Sequence, residues 1–227
     1  MLLHIPGVLS QAEVTHCRVT LENAAWIDGN ATAGEQAALA KHNLQIPEDS
    51  ETARALGDII LRALGRSALF TSAALPLRVL PPMFNRYDTG MKFADHVDGA
   101  VRGMGPSGLR MRADISSTLF LTDPEDYDGG ELVIRDTYGD HEVKLPAGDM
   151  ILYPASSLHS VTEITRGARW SSFFWTQSMV RDTGQRALLF DLDMAIVQTR
   201  QALGDESPAV LSLTNTYHNL LRRWIEM

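Results

Sequence analysis

From Leu77 to Thr176 the chain breaks into short runs of strand-forming residues separated by Gly, Pro and Asp, and this texture restricts the fold more than any other feature. Ser116-Ser117-Thr118-Leu119-Phe120-Leu121, Glu131-Leu132-Val133-Ile134, Met150-Ile151-Leu152-Tyr153 and Ser171 to Thr176 each have the length and composition of a strand. Asp128-Gly129-Gly130 and Pro146-Ala147-Gly148-Asp149 read as tight turns between strands. Several short strands at regular spacing imply an antiparallel sandwich or barrel.

Helical patterns flank this region. Ser10-Gln-Ala-Glu13 has the form of a capping box, which predicts a helix to about Asn23, and Asp28-Gly29-Asn30 breaks it. Between Ser50 and Leu64, Ala53, Leu56, Ile59, Ile60 and Ala63 recur at three- and four-residue spacing, so a second helix is expected. Both should pack on the outside of a sheet. After Asp182 the pattern is helical to the end, with Leu189, Leu192, Ile196 and Leu203 on one stripe and Val210, Leu213, Tyr217, Leu220, Leu221 and Trp224 on another, separated at Gly204 to Pro208. A helix pair of this kind must bury its stripe against the sheet or a second copy, which makes it a candidate homo-oligomer interface. The expected organisation is a supporting region over 1–76, a β core over 77–179 and a helical extension over 180–227. With 227 residues and 44% hydrophobic content, one medium domain plus an appendage is the natural size.

The chemistry gathers around Phe84 to Asp98. His96 and Asp98 stand two positions apart, so in an extended segment an imidazole and a carboxylate share one face. Two ligands hold a cation weakly, and His159 is the candidate third. Two imidazoles and one carboxylate on one side of an ion form the facial triad of non-haem Fe(II) oxygenases. His141 is the one serious rival for the distal ligand, but it follows the turn Tyr138-Gly139-Asp140, which directs it to solvent; His4, His16, His42 and His218 lie in or near helical segments. Ten residues beyond His159, Arg169 alternates with Ser171 among Trp170, Phe173 and Phe174. A charge among residues that favour burial needs an anionic partner, and a fixed guanidinium can grip a carboxylate in bidentate fashion.

His96-Val-Asp98, His159 and Arg169, preceded by Tyr87 and Gly90 and with Gly129-Gly130-Glu131 between, resemble the 2-oxoglutarate- and Fe(II)-dependent dioxygenases of the prolyl-hydroxylase type. More narrowly, the opening Met-Leu-Leu-His-Ile-Pro-Gly-Val-Leu and the helical C-terminus are similar to bacterial PKHD-type hydroxylases (the PiuC/YbiX type). The resemblance implies a mostly β chain with flanking helices, folded as a double-stranded β-helix, or jelly roll, with the metal in its mouth. It implies Fe(II) on His96, Asp98 and His159, and 2-oxoglutarate held by Arg169 with help from the Ser171 hydroxyl and a hydrogen bond from Tyr87. The implied reaction decarboxylates 2-oxoglutarate to succinate and hydroxylates an unactivated C–H bond, with ascorbate as the expected reductant and a link to iron acquisition. Halogenating relatives leave the carboxylate position vacant, so Asp98 favours hydroxylation. One competing reading is an Fe(II) oxygenase that does not use 2-oxoglutarate, such as a ring-cleaving or cupin-type enzyme, which has no reason to keep Arg169. Another is a jelly-roll metal or small-molecule sensor without catalysis.

Two further stretches bear on the substrate. Gly99 to Arg112 contains four glycines and a proline without an apolar period, and reads as a mobile loop that could act as a lid beside Asp98. Arg78, Arg86, Arg102, Arg110 and Arg112 gather around the ligand pair and raise the hypothesis of a negatively charged substrate. Partners other than 2-oxoglutarate and O2 are expected to be a small molecule or peptide. The formal net charge of −8 and a pI near 5.3 argue against non-specific nucleic-acid binding. No apolar run reaches the ~18–20 residues of a membrane span, and the short apolar start lacks a basic signal-peptide region. The lone Cys17 excludes a disulfide framework within one chain and a paired-thiolate zinc site, so a cytoplasmic protein is expected.

Overall fold

The computed structural model describes residues 1–32, 41–103 and 108–227. Two antiparallel sheets face one another. The larger runs in the order β1 (Leu3–Ile5), β13 (Met150–Pro154), β10 (Ile115–Phe120), β15 (Ala168–Ser178), β6 (Met83–Asp88), β4 (Leu44–Gln45) and β2 (Ile27–Asp28), with β5 (Pro76–Val79) also paired to β15. The smaller runs β12 (Gly139–Val143), β11 (Leu132–Asp136), β14 (Leu158–Val161), β7 (Lys92–His96) and β3 (Lys41–His42). This is the expected jelly roll, and the strand-rich runs fall on β10, β11, β13 and β15.

Period-2 alternation makes the large sheet two-faced. Trp170 and Phe174 of β15, Met150 and Leu152 of β13 and Leu119 of β10 turn outward into a core shared with helices. Ile151 and Tyr153 of β13 and Tyr87 of β6 turn inward onto Leu132, Ile134 and Val161 of the small sheet. The outer core is covered by α1 (Gln11–Glu22) and α2 (Glu51–Arg66), which bury Val14, Cys17 and Leu21, and Leu56, Ile60 and Leu64, respectively. Ser10 and Glu13 form the reciprocal capping box that starts α1, and the Ser50 side chain accepts from Ala53 N at the start of α2. A helix not legible beforehand, α3 (Ala68–Ala74), follows on a Ser67 cap.

At the C-terminus, α4 (Thr183–Leu203) and α5 (Pro208–Trp224) pack on each other, and α4 also packs on α3. Leu189 joins Leu75 and Val180 in a small core lined by Tyr217, Leu220, Leu221 and Trp224. Leu203, expected on the packed stripe, is 62% exposed, because it falls in the last turn of α4 beside the Gly204 cap, past the buried positions Leu189 and Ile196. The stretch read as a mobile loop contains a two-stranded hairpin, β8 (Val101–Gly103) with β9 (Arg110–Arg112). Residues 104–107, between the two strands in sequence, lie outside the described residues. No described helix is long and apolar enough to cross a membrane.

Candidate metal centre

Strand pairing brings the two histidines together. β7 ends on His96, β14 carries His159, and the register sets them directly opposite each other, with ring centroids 4.2 Å apart. Asp98 follows as the chain leaves the small sheet, and its carboxylate is fastened to the large one: Oδ2 accepts from Ser116 Oγ at 2.6 Å and from Trp175 Nε1 at 2.9 Å. The Asp98 oxygens lie 4.0 Å from His96 Nε2 and 3.8 Å from His159 Nε2. One ligand atom from each residue falls within 4.8 Å of the other two, and no other described group of His, Cys, Asp and Glu side chains meets that condition.

Both imidazoles are held in the tautomer a metal needs. His96 Nδ1 lies 2.9 Å from Ala94 O and His159 Nδ1 lies 3.0 Å from Ser157 O. A carbonyl only accepts, so Nδ1 carries the proton and Nε2 keeps its lone pair. Burial first, and then the nearby His159, pushes His96 down to about 4, which keeps the ring neutral at ordinary pH. Phe93 stacks on His96 at 3.6 Å and Tyr153 meets His159 edge-on at 5.0 Å. Two neutral imidazoles and a carboxylate converging from one side suit ferrous iron.

The second half of the site sits on the large sheet. Arg169 pairs opposite Tyr87 and is 1% exposed. Its Nη1 donates to Ser171 Oγ at 2.8 Å, and Ser171 Oγ donates to Asn85 Oδ1 at 2.5 Å. Phe120 and Tyr87 present their rings to the guanidinium at 5.1 and 5.6 Å. Arg169 Nε is buried with no hydrogen-bond partner, and among the described residues no carboxylate forms an ion pair with it. An uncompensated buried cation is costly, so this group lacks an anion that a dicarboxylate would supply. Burial pushes the Tyr87 hydroxyl up to about 12, with Arg169 and Asn43 acting the other way, so Tyr87 stays a proton donor. Gly130, at φ +70°, leaves room for the Arg side chain: a Cβ there would stand 2.3 Å from Ile164 Cδ1, 3.0 Å from Tyr127 Cε2 and 3.1 Å from Arg169 Cδ.

His96, Asp98, His159, Tyr87, Arg169 and Ser171 thus line one cavity of about 640 Å³. His141 sits two strands from His159, at 3.0 Å from Asp136 Oδ2. The arginine group does not hold together. Arg86 is committed to Asp88 at 2.6 Å and Arg112 to Asp114 at 2.6 Å, Arg78 reaches Gln177, and Arg102 is the member that lines the cavity. Asn85, Ser116 and Trp175 had not been singled out in the sequence. The signal for Trp175 was the alternation Arg169, Ser171, Phe173, Trp175, which sets all four on one face.

Replacing Ser116 with Ala removes one of the two donors that orient Asp98 Oδ2. Outer-shell losses of this type cost ~10–100-fold in metal affinity. The Ser116→Ala variant is expected to fall in that range in a Mn(II) titration, and wild-type affinity would remove the orienting role.

The sequence profile described as "2OG-Fe(II) oxygenase superfamily" matches residues 82–177, and the profile "PKHD-type hydroxylase C-terminal domain" matches 183–226. A PKHD-type hydroxylase of Methylobacterium nodulans is 69% identical over 227 residues, covering 100% of both chains. Another, from Gluconobacter oxydans, is 65% identical over 227 residues with the same coverage. Among solved structures, a Pseudomonas putida prolyl-4-hydroxylase superposes with TM-score 0.51 at 19% identity, over 78% of this chain and 92% of that one. HygX from Streptomyces hygroscopicus, solved with nickel, 2-oxoglutarate and hygromycin B, gives TM-score 0.51 at 18% identity, over 79% of this chain and 84% of that one. At these identities the structural likeness bears on the fold.

Proposed function

The chain belongs to the PKHD-type hydroxylases of the 2OG-Fe(II) oxygenase superfamily, and from that membership we propose that it hydroxylates a small-molecule or peptide substrate with Fe(II) held by His96, Asp98 and His159 and 2-oxoglutarate held by Arg169. Membership makes it a dioxygenase with 2-oxoglutarate and O2 as co-substrates. The observation that carries the residue assignment is the buried Arg169 guanidinium, without a carboxylate partner among the described residues, in the same cavity as the His–Asp–His cluster. An Fe(II) oxygenase that does not use 2-oxoglutarate has no need for that cation.

When bound, iron and 2-oxoglutarate supply the oxidation: one atom of O2 enters the substrate C–H bond and the other enters succinate, with release of carbon dioxide. The protein's part is positional. Ala94 O and Ser157 O aim the two Nε2 atoms, while Ser116 and Trp175 fix the Asp98 carboxylate. Ser171, itself tied to Asn85, sets the Arg169 guanidinium for the far carboxylate of the co-substrate, to which Tyr87 donates a hydrogen bond. Phe93, Tyr153 and Trp175 give the chamber apolar walls that exclude water from the reacting centre. Ascorbate, in this reading, returns oxidised iron to the ferrous state.

Purified protein mixed without oxygen with Fe(II) and 2-oxoglutarate should develop a visible charge-transfer band, and admission of air should yield succinate. Absence of both signals would remove the proposal. A band without succinate would favour the sensor reading.

A further inference from the structure

Tyr127 packs beside Arg169 but outside the chamber. It is fully buried, at 0% exposure, and is not among the residues that line the cavity. Any effect it has on a molecule in the chamber must therefore pass through a neighbour, and that neighbour is Arg169. The two side chains flank the same point, the Cα of Gly130, where a Cβ would meet Tyr127 Cε2 at 3.0 Å and Arg169 Cδ at 3.1 Å. A glycine at this position lets both approach so closely.

Tyr127 is itself held firmly. It follows the short 3-10 helix Pro124–Asp126 and shares a core with Phe120, Leu132 and Ile164. Lys144 Nζ donates to Tyr127 O at 2.8 Å and lies 4.1 Å from the ring centroid, so backbone and ring are both fixed and the hydroxyl oxygen has a defined place. Buried hydroxyls nearly always find a partner. Among the described residues, the Tyr127 hydroxyl and Arg169 Nε are both buried and neither makes a hydrogen bond of full geometry, yet the two side chains interact. Burial pushes the Tyr127 hydroxyl up, the Arg169 charge pulls it back, Glu131 pushes again, and a hydrogen-bonding interaction with Arg169 pulls it down. A guanidinium N–H only donates and a phenol oxygen can accept, so the bond runs from Arg169 to Tyr127. Ser171 Oγ already takes Nη1 at 2.8 Å, and a planar fork held at two points cannot swing.

We propose that Tyr127 is a positioning residue whose hydroxyl accepts from the Arg169 guanidinium and, with Ser171, aims that fork at the far carboxylate of 2-oxoglutarate. The inference rests on the reading that Arg169 grips the co-substrate. Tyr127 then acts on selectivity: it sharpens the distinction between a 2-oxo acid with a second carboxylate and one without, and leaves the metal ligands untouched.

The test compares two 2-oxo acids of equal chain length that differ at the far end, 2-oxoglutarate with its carboxylate and 2-oxopentanoate with a methyl group. Each is titrated without oxygen into full-length protein carrying Fe(II), and the charge-transfer band reports binding without turnover. Tyr127→Phe removes one oxygen and keeps the ring. It should weaken 2-oxoglutarate about 10-fold, the order expected for a hydrogen bond to a charged group, and leave the affinities for 2-oxopentanoate and Fe(II) unchanged. A merely structural change would weaken both acids alike. Arg169→Met is the reference and should erase the preference for the dicarboxylate. Equal loss for both acids in Tyr127→Phe, or a full preference kept there while Arg169→Met loses it, overturns the role of Tyr127 alone. Parent protein without a preference, or Arg169→Met that keeps one, overturns the co-substrate assignment and this inference together. Should Tyr127→Phe fail to fold, Lys144→Met decides: releasing the ring from its ammonium should cut the preference by ~2–5-fold, and an unchanged preference overturns the proposal.

Discussion

Substitution of Asp98 by Ala is expected to lower Fe(II) or Mn(II) affinity by more than about 100-fold and to bring succinate formation to background. The scale follows from comparison, because loss of a group that only supports a ligand already costs ~10–100-fold. Asp98 is also the single acceptor shared by Ser116 Oγ and Trp175 Nε1, so its removal leaves two donors without a partner in a largely buried site. Each such orphan costs ~1–3 kcal/mol. The variant should therefore melt at a lower temperature even without metal, and metal should no longer raise that temperature. Wild-type metal affinity, read by titration under anaerobic conditions, would show that the ion sits elsewhere.

Arg169→Met should separate binding from stability in the opposite direction. Truncating one partner of a buried charge pair costs ~2–5 kcal/mol, which corresponds to a rise of roughly 30- to 5,000-fold in the KM for 2-oxoglutarate. Without co-substrate, Arg169 is a buried cation with, among the described residues, an unpartnered Nε and no ion-paired carboxylate, so an apolar residue of similar volume relieves a penalty. The ligand-free variant should unfold at the same temperature as the parent or higher. A large fall in stability, with an unchanged KM for 2-oxoglutarate, would make Arg169 a packing residue.

Much of this site was legible because its spacing is local or tied to strand period. His96 and Asp98 drew attention by their two-residue separation, although β7 ends at His96 and Asp98 lies just past it, and Arg169 stood out as a charge in an apolar strand. Asn85 and Ser116 were not legible, since a polar residue in a strand reads the same whether it faces a ligand, another side chain or a turn. The segment 41–45 was missed for want of length: its strands are two residues each, too short for alternation to register. α3 is seven residues long, too short for an apolar stripe to register. The arginine cluster misled in the other direction. Arg86 and Arg112 each have an aspartate two positions on, Asp88 and Asp114, and that spacing on a strand makes a neutralised pair rather than an anion trap.

Asp98 leaves one sheet and is gripped by the other, which would give a bound metal an architectural role. A cation joined to His96 and His159 on one layer and, through Asp98, to Ser116 and Trp175 on the opposite layer would act as a rivet across the sandwich. Chelation should then loosen the open end of the barrel and leave the helix-backed side protected, so amide exchange ought to quicken along β7 and β14 while β13 remains slow.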